Sequence, residues 1–280
     1  MTGKPNLSVI VVTYNEERNI ERCLRSVSAL DCEVVVVDSF STDKTVEIAK
    51  RFSASVHQNT YPGYSRQVEW GIARSTGGWV FILDADEEVS PELASSIRSV
   101  VNAKSETNGY SVNRRINVFG KWIDHGGWSP DWQFRLVKRD NYIAEHQEVH
   151  GGFTASGPKG RLDGLLYHYT YPSLESYLEK LNDYTSLHVS NKLKDKPDIT
   201  VRWYKIVFSP ALDFLKTFFI KKGYRDGIPG FLLAACSALY TLALYAKVWE
   251  YRLRESEGKG SLPPVTNASV LEYKRIYTPS

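Results

Sequence analysis

Cysteine is scarce. Cys23, Cys32 and Cys236 are the whole complement of a 280-residue chain. They are odd in number and far apart, which excludes a disulfide framework and a zinc-finger pattern and favours a reducing, cytosolic compartment. The chain also lacks a charged, apolar and small-residue succession at its start: Met1 to Asn6 is short and polar and runs straight into Leu-Ser-Val-Ile-Val-Val, so no secretory signal is expected. Internal repeats and low-complexity tracts are missing. So is a strong excess of either charge, the net being +3. The distribution is uneven, however: −4 over residues 1–100, 0 over 101–191, +6 over 192–260 and +1 in the tail. An acidic front and a basic rear suggest two functions in series. Hydrophobic residues make up 42% and charged ones 24%, enough apolar matter for a folded chain. At about 150 residues per domain, the length predicts about two domains.

Leu7 to Thr13 (LSVIVVT) and Glu33 to Asp38 (EVVVVD) are near-continuous β-branched runs, the pattern of parallel strands buried on both faces. Between them, Glu16 to Leu30 places Ile20, Cys23, Leu24 and Val27 at helical spacing. A helix opened by Ser41-Thr-Asp-Lys and a short strand at Ala54 to His57 follow, then a helix over Gly63 to Ser75 and a buried strand at Trp79 to Leu83. Ser90-Pro91-Glu92 supplies an N-cap, a proline at the first helical position and an acidic first turn for a helix reaching about Ala103. The expectation is an α/β fold, an open sheet with helices on both faces.

From Asn108 to Tyr169 the texture turns to short strand-like pieces rich in Gly, Trp and Arg, and Ser173 to Leu193 reads as an amphipathic helix. Residues 200–251 hold 12 aromatic residues among 52, twice the density of the whole chain. Two apolar segments lie there, Val201 to Ile220, kinked at Pro210, and Ile228 to Ala246, joined by Lys221-Lys222-Gly-Tyr-Arg225-Asp-Gly227. The second has 19 residues without a charge. At 1.5 Å per residue that is about 28 Å, close to the roughly 30 Å hydrocarbon core of a bilayer. Both its flanks are basic, so the positive-inside rule names no translocated side. Three readings follow: an interfacial or shallowly inserted helical hairpin, which explains both flanks at once, a true span, and a soluble packing pair.

In open α/β sheets ligands sit at the carboxyl ends of the strands. The residues there are Thr13-Tyr14-Asn15-Glu16-Glu17, then Asp38-Ser39-Phe40-Ser41-Thr42-Asp43, then Asp84-Ala85-Asp86-Glu87-Glu88. Two carboxylates at i and i+2 on a strand-end turn suit a hard divalent cation that keeps several waters and is shared with substrate phosphates. A solvated turn leading into a helix is the structural alternative.

Together TYNEE, VVVDSFSTD and FILDADEE, in this order and at these strand ends, resemble the family 2 glycosyltransferases with the GT-A, Rossmann-like nucleotide-sugar-binding fold. The resemblance covers residues 7 to about 104. It implies that Thr13, Tyr14 and Glu16 line the nucleoside and that Asp38 hydrogen-bonds the base. By the same token Asp84 and Asp86 form the DxD pair that holds the ribose and, through Mg²⁺ or Mn²⁺ on Asp86, the diphosphate. Arg66 sits where many members place a basic residue; an exposed helix arginine is the alternative.

Transfer from a nucleoside diphosphate also needs a general base for the acceptor hydroxyl. Asp131, Glu145 and Glu148 are candidates, with Asp124 behind them. Asp131 lies in HGGWSPDWQFRL, a stretch that resembles a family 2 subgroup building lipopolysaccharide core, the β-1,4-glucosyltransferase-like group. In that comparison Asp131 takes the base position, and Gln133 and Arg135 resemble, with altered spacing, the Gln and Arg of the processive enzymes' QxxRW motif. Val149-His150-Gly151 departs from the subgroup's Val-His-Glu. His146 and His150 are candidates to reach metal or diphosphate, and Trp122, Trp128 and Trp132 are candidate platforms for an acceptor sugar.

The resemblance implies a metal-dependent inverting hexosyltransferase. It would move glucose from UDP-glucose to a lipid-linked saccharide such as lipopolysaccharide inner core, at the cytoplasmic face of the inner membrane, peripheral or monotopic. Residues 1–170 would form the GT-A domain, 171–257 a helical membrane-associating region and 258–280 a tail. A polyprenyl-phosphate acceptor and a non-catalytic nucleotide-sugar-binding scaffold are the alternatives. Nucleic acid is not an expected partner, since the basic excess lies with the apolar helices.

Overall fold

The computed structural model describes residues 5–145 and 152–258. In chain order the elements are β1 (Leu7–Thr13), α1 (Ile20–Val27), β2 (Glu33–Asp38), α2 (Thr45–Lys50), β3 (Ser55–Gln58), α3 (Tyr64–Ile72), β4 (Trp79–Asp84), β5 (Glu87–Val89) and α4 (Pro91–Asn102). Then come β6 (Gly109–Val118), β7 (Lys121–Ile123), β8 (Asp131–Lys138), β9 (Tyr142–Glu145), β10 (Gly152–Ala155), β11 (Lys159–Tyr171), α5 (Leu174–Asp195), α6 (Trp203–Leu215) and α7 (Gly227–Ser256). These form two compact units, residues 5–115 with 130–145 and 152–169, and residues 116–129 with 170–258.

The first unit is built on one sheet in the order β3-β2-β1-β4-β8-β6-β11-β5. The β3-β2-β1-β4 half is parallel, as the uninterrupted β-branched runs required. β8 then adds antiparallel to β4, and β6 antiparallel to β8. Both faces are covered. Val9 and Val11 pack with α1, α2 and α4, while Ile10 and Val12 pack beneath α3. α3 lies so close that a Cβ on Gly71 would come within 2.5 Å of Ile10 and 2.9 Å of Val37. α4 begins as expected: the Ser90 side chain accepts from Leu93 N, with Pro91 at the first position. Helices run shorter than their periodicity suggested at the amino end, because the strand-end loops retain residues 14–19 and 39–44 in non-helical geometry.

β5 is the element that hydropathy could not place. Three residues after β4 ends, the chain reverses, and β5 pairs antiparallel with β11 through Val89–Leu166, Glu88–Tyr167 and Glu87–His168. Most of the DADEE segment is therefore a tight turn plus an edge strand.

In the second unit β7 pairs with the end of β6. α5 opens with a reciprocal capping box between Ser173 and Ser176. α6 carries Pro210 inside it and passes through a π-helical turn, Lys216–Ile220, before the turn into α7. Among the described residues one helical stretch, Gly223–Ser256, is long and apolar enough to cross a membrane by length and composition.

Candidate active site

The carboxyl ends of β2, β1 and β4 stand side by side, with Asp38 in register with Thr13 and Asp84 in register with Val12. The loops after β1 and β2 clasp each other. Asn15 N donates to Ser41 Oγ (2.8 Å), Thr42 N donates to Asn15 Oδ1 (2.8 Å), and Glu16 N donates to Thr45 Oγ1 (2.7 Å). Asn15 and Phe40 accept left-handed backbone, φ 52° and 62°, to make this clasp. Asp38, wholly buried, receives Ser41 N (3.0 Å), Ser41 Oγ and Gln58 Nε2 (3.1 Å). Three donors thus occupy most of the roughly four acceptor positions of a carboxylate. Tyr14 and Glu16 are half-buried at the rim, and Arg66 points to solvent from α3. Thr13 is buried, and its Oγ1 makes no hydrogen bond among the described residues.

The centre of the site is a buried polar network. Arg135, on β8, sends Nη2 to Asp84 Oδ2 (2.9 Å) and to Glu87 Oε1 (2.7 Å), and Nη1 to Tyr64 Oη (2.7 Å). Tyr64 in turn donates to Asp84 Oδ1 (3.1 Å), and Glu87 Oε2 accepts from Asp84 N (3.0 Å). A second arginine, Arg114 on β6, donates from Nε to Asp131 Oδ2 (2.7 Å), with its Nη1 3.6 Å from Glu87 Oε1. Asp131 Oδ1 accepts from Gln133 Nε2 (2.6 Å), and Asp131 N donates to Asn113 Oδ1. Asp131 is therefore tied to the DAD turn through one guanidinium. Burial pushes the Glu87 carboxyl up against the pull of Arg135, and the Asp84 charge adds to the push. Burial works against the Arg135 charge, yet Glu87, Tyr64 and Asp84 hold that guanidinium protonated well above its ordinary value. The same burial keeps the Tyr64 hydroxyl protonated. Asp84, Glu87 and Asp131 face two guanidiniums, an acidic excess of one formal charge when all three ionise.

Asp86 is turned the other way. Its backbone carbonyl accepts from Tyr169 N (3.0 Å), and its Oδ2 stands 3.3 Å from Nε2 of His168 on β11. His168 is fully buried, and neither ring nitrogen makes a hydrogen bond among the described residues. An imidazole nitrogen aimed at a carboxylate oxygen, within a net acidic cluster, fits a divalent cation held between them. Among the described residues no three His, Cys, Asp or Glu side chains form a ready-made cage. Mg²⁺ and Mn²⁺ shared with phosphates need no cage, since substrate oxygens and water complete the coordination.

Of the residues expected from the sequence, Asp84, Arg135 and Asp131 meet in one network, with Asp86 at its edge. Arg135 spends its hydrogen bonds on Asp84, Glu87 and Tyr64, so its observed partners are side chains that orient the turn. Glu145 ends β9 exposed, and Asp124 lies in the second unit, where its N donates to Asp226 Oδ1 (3.3 Å). His146, Glu148 and His150 lie outside the described residues. Trp132 carries the Arg161 guanidinium 4.4 Å above its ring, and Trp122 and Trp128 belong to the second unit. The sequence reading missed Tyr64, Glu87, Arg114 and His168. Two of these leave a signal: Arg114 alternates with Val112 and Ile116, and His168 with Leu166 and Thr170, a polar residue in each case occupying the buried phase of a strand.

A half-parallel sheet extended by antiparallel strands, with acidic clusters at the carboxyl ends of β2 and β4, is the GT-A fold of nucleotide-sugar-dependent transferases. The family model described as Glycosyl transferase family 2 matches residues 8–155, more than half of the chain, and the protein belongs to that family. The lipopolysaccharide core biosynthesis glycosyltransferase LpsC of Rhizobium meliloti is 27% identical over 264 residues, which cover 89% of this chain and 94% of LpsC. Among solved structures, S. aureus TarS 1-349 in complex with UDP-GlcNAc aligns at 16% identity with a TM-score of 0.46, covering 96% of this chain and 89% of that one. The mannosyltransferase PcManGT of Pyrobaculum calidifontis, in complex with GDP-Man and Mn²⁺, aligns at 18% identity with a TM-score of 0.43, covering 98% and 85%.

Proposed function

We propose that the protein is an inverting, divalent-metal-dependent hexosyltransferase that moves glucose from UDP-glucose to a hydroxyl of a lipid-linked saccharide such as lipopolysaccharide inner core. The observation that carries this reading is the single buried network joining Asp131 to the DAD turn through Arg114. It puts a carboxylate with a fixed orientation beside the acids that would hold the donor. Thr13, Tyr14, Glu16 and Asp38 would take the nucleoside, and Arg66, exposed on α3, would reach for the diphosphate.

Asp86 and His168 would hold Mg²⁺ or Mn²⁺, which supplies positive charge to the departing diphosphate without proton transfer. Asp84, fixed by Arg135 and Tyr64, would accept from the ribose hydroxyls. Asp131 takes the proton of the acceptor hydroxyl as that oxygen bonds to the anomeric carbon. The bond from that carbon to the diphosphate oxygen breaks on the opposite face, its electron pair leaves with UDP, and the configuration inverts. Gln133 and Arg114, each on one Asp131 oxygen, keep the carboxylate from rotating. The likeness to LpsC and the apolar helices of the second unit support an acceptor embedded in a membrane, with the enzyme peripheral or monotopic on its cytoplasmic face.

UDP release from a panel of nucleotide sugars, with lipid extract and with Mg²⁺, Mn²⁺ or chelator, tests the reading. Metal-dependent release from UDP-glucose, lost in Asp86→Asn and in Asp131→Asn, is expected. Nucleotide-sugar binding without turnover under all conditions would leave a binding scaffold instead.

A further inference from the structure

The α6–α7 hairpin is inside out by the standard of a water-soluble helix pair. Trp203, Val207, Phe208, Leu212, Leu215 and Phe219 follow one another along one side of α6 and its π turn, and each is between 46% and 70% exposed. The acid of α6, Asp213, points the other way and accepts from Ser237 Oγ (2.7 Å) and Thr241 Oγ1 (3.0 Å) of α7. α7 repeats the pattern. Ile228, Phe231, Leu239, Leu242, Trp249 and Leu253 recur at intervals of three, four, seven or eight residues, which return to one face of a helix, each between 39% and 75% exposed. Ring contacts of Phe231 with Phe214 (5.6 Å) and Phe218 (5.8 Å) join the two stripes into one patch.

Charge along α6 and the turn has one sign, whereas at the far end of α7 Glu250 and Glu255 pair with Arg254 and Arg252. Arg202, Lys205, Lys216, Lys221, Lys222 and Arg225 are all exposed, and between them the only acid is the inward Asp213. On α6 and the turn, an apolar face rimmed by cations complements an anionic phospholipid leaflet.

Length and packing then decide how the hairpin meets that leaflet. From Tyr240 onward α7 is bound to α5: Tyr240 Oη lies 3.1 Å from His188 Nδ1, Leu244 and Val248 pack on Val189, and Lys247 Nζ bonds Asn182, Thr185 and Ser186. α5 carries Glu175, Glu179, Lys180, Asp183, Lys192 and Lys194, so drawing this half of α7 through hydrocarbon would draw charged α5 with it. The part free of α5, Gly227 to Leu239, has 13 residues. At 1.5 Å each it reaches about 20 Å, too short for a hydrocarbon core of roughly 30 Å.

We infer that α6 and α7 lie side by side in the interface of one anionic leaflet, α6 as the inserted element, and that α7 does not cross the bilayer. This deepens the membrane-facing part of the proposed function and rests on it. The outer faces of both helices enter the acyl boundary while the cations at the turn and along α6 stay at headgroup depth.

Flotation of the full chain with preformed sealed vesicles, phosphatidylethanolamine with phosphatidylglycerol or phosphatidylcholine alone, tests it. Wild type should bind the anionic vesicles and release at high salt. Phe208→Glu/Leu212→Glu should lose binding by at least about a hundredfold. Lys205→Gln/Lys216→Gln/Lys222→Gln should lose about fivefold per cation, roughly two orders of magnitude together. The side chains of both sets face solvent, so unchanged thermal unfolding will certify the fold. Lys222→Cys, at the turn, should react with an impermeant maleimide added outside the vesicles. Protection of that cysteine would mean that the hairpin crosses, and wild-type binding undiminished in the α6 variants would remove α6 as the inserted element. Failure of wild type to bind any vesicle would instead overturn the membrane reading itself.

Discussion

Replacing Arg114 by methionine keeps the length and most of the volume of the side chain but deletes the guanidinium that joins Asp131 to Glu87. Glu87 has no solvent exposure and would keep Arg135 and Asp84 N but lose its second guanidinium, while Asp131, 17% exposed, would keep Gln133 and gain water. Removing one partner of a buried ion pair costs about 3–5 kcal/mol. The partial exposure of Asp131 puts the expected loss near ~3 kcal/mol on that scale. Asp131→Asn still offers one oxygen to Arg114 or Gln133 and should cost about 1–2 kcal/mol. In the double variant the second change should cost little, a coupling of about 1–2 kcal/mol between the two sites. Urea denaturation of the four proteins measures all of this, and Arg114→Lys, which restores charge without the fork, should recover only part. A coupling below about 0.5 kcal/mol would refute the claim that this contact fixes the orientation of Asp131.

Mn²⁺ should raise the melting temperature of wild type in the presence of UDP, and His168→Ala or Asp86→Asn should abolish that rise; a full rise in His168→Ala would exclude the imidazole as a ligand. Burial alone would raise the Glu33 carboxyl, but hydrogen bonds from Ser8 and Thr76, with Arg139 nearby, hold it below its ordinary 4.5. A carboxyl depressed on folding gives stability that is complete above its unfolded value and is lost as pH falls through the folded one. Acid unfolding below about 4.5 should therefore be less steep in Glu33→Gln, read by circular dichroism. Gly71→Ala should destabilise by about 1–3 kcal/mol, because α3 must move off Ile10 and Val37; a neutral result in urea would show slack in that packing.

The parallel half of the sheet could be read from the sequence because burial on both faces forces an unbroken β-branched run, and LSVIVVT, EVVVVD and WVFIL each become a strand. The capping at Ser90 was equally legible, being a local hydrogen bond among neighbours in sequence. β5 was not: its three residues gain their structure from β11, some 80 residues away, and carry no pattern of their own. The same holds for the site. Asp84, Asp86 and Asp131 stand out as acids at strand ends, whereas Arg114, His168 and Tyr64 matter through partners that only tertiary pairing supplies. For Arg114 and His168 the trace in sequence is a polar residue on a buried strand phase, which periodicity treats as an error unless a fold is already in mind.

The placement of β5 ties the order of synthesis to the moment the enzyme becomes competent. Asp86 leaves the ribosome early, yet the strand that follows it can pair only when residues 166–168 are available. His168, Tyr169 and the edge that sets the direction of Asp86 arrive together, just ahead of the amphipathic helices. A nascent chain therefore carries the strand-end loops of β1 and β2 well before it has a finished acid pair. Completion of that pair coincides with emergence of the segment that would bring the chain to its membrane.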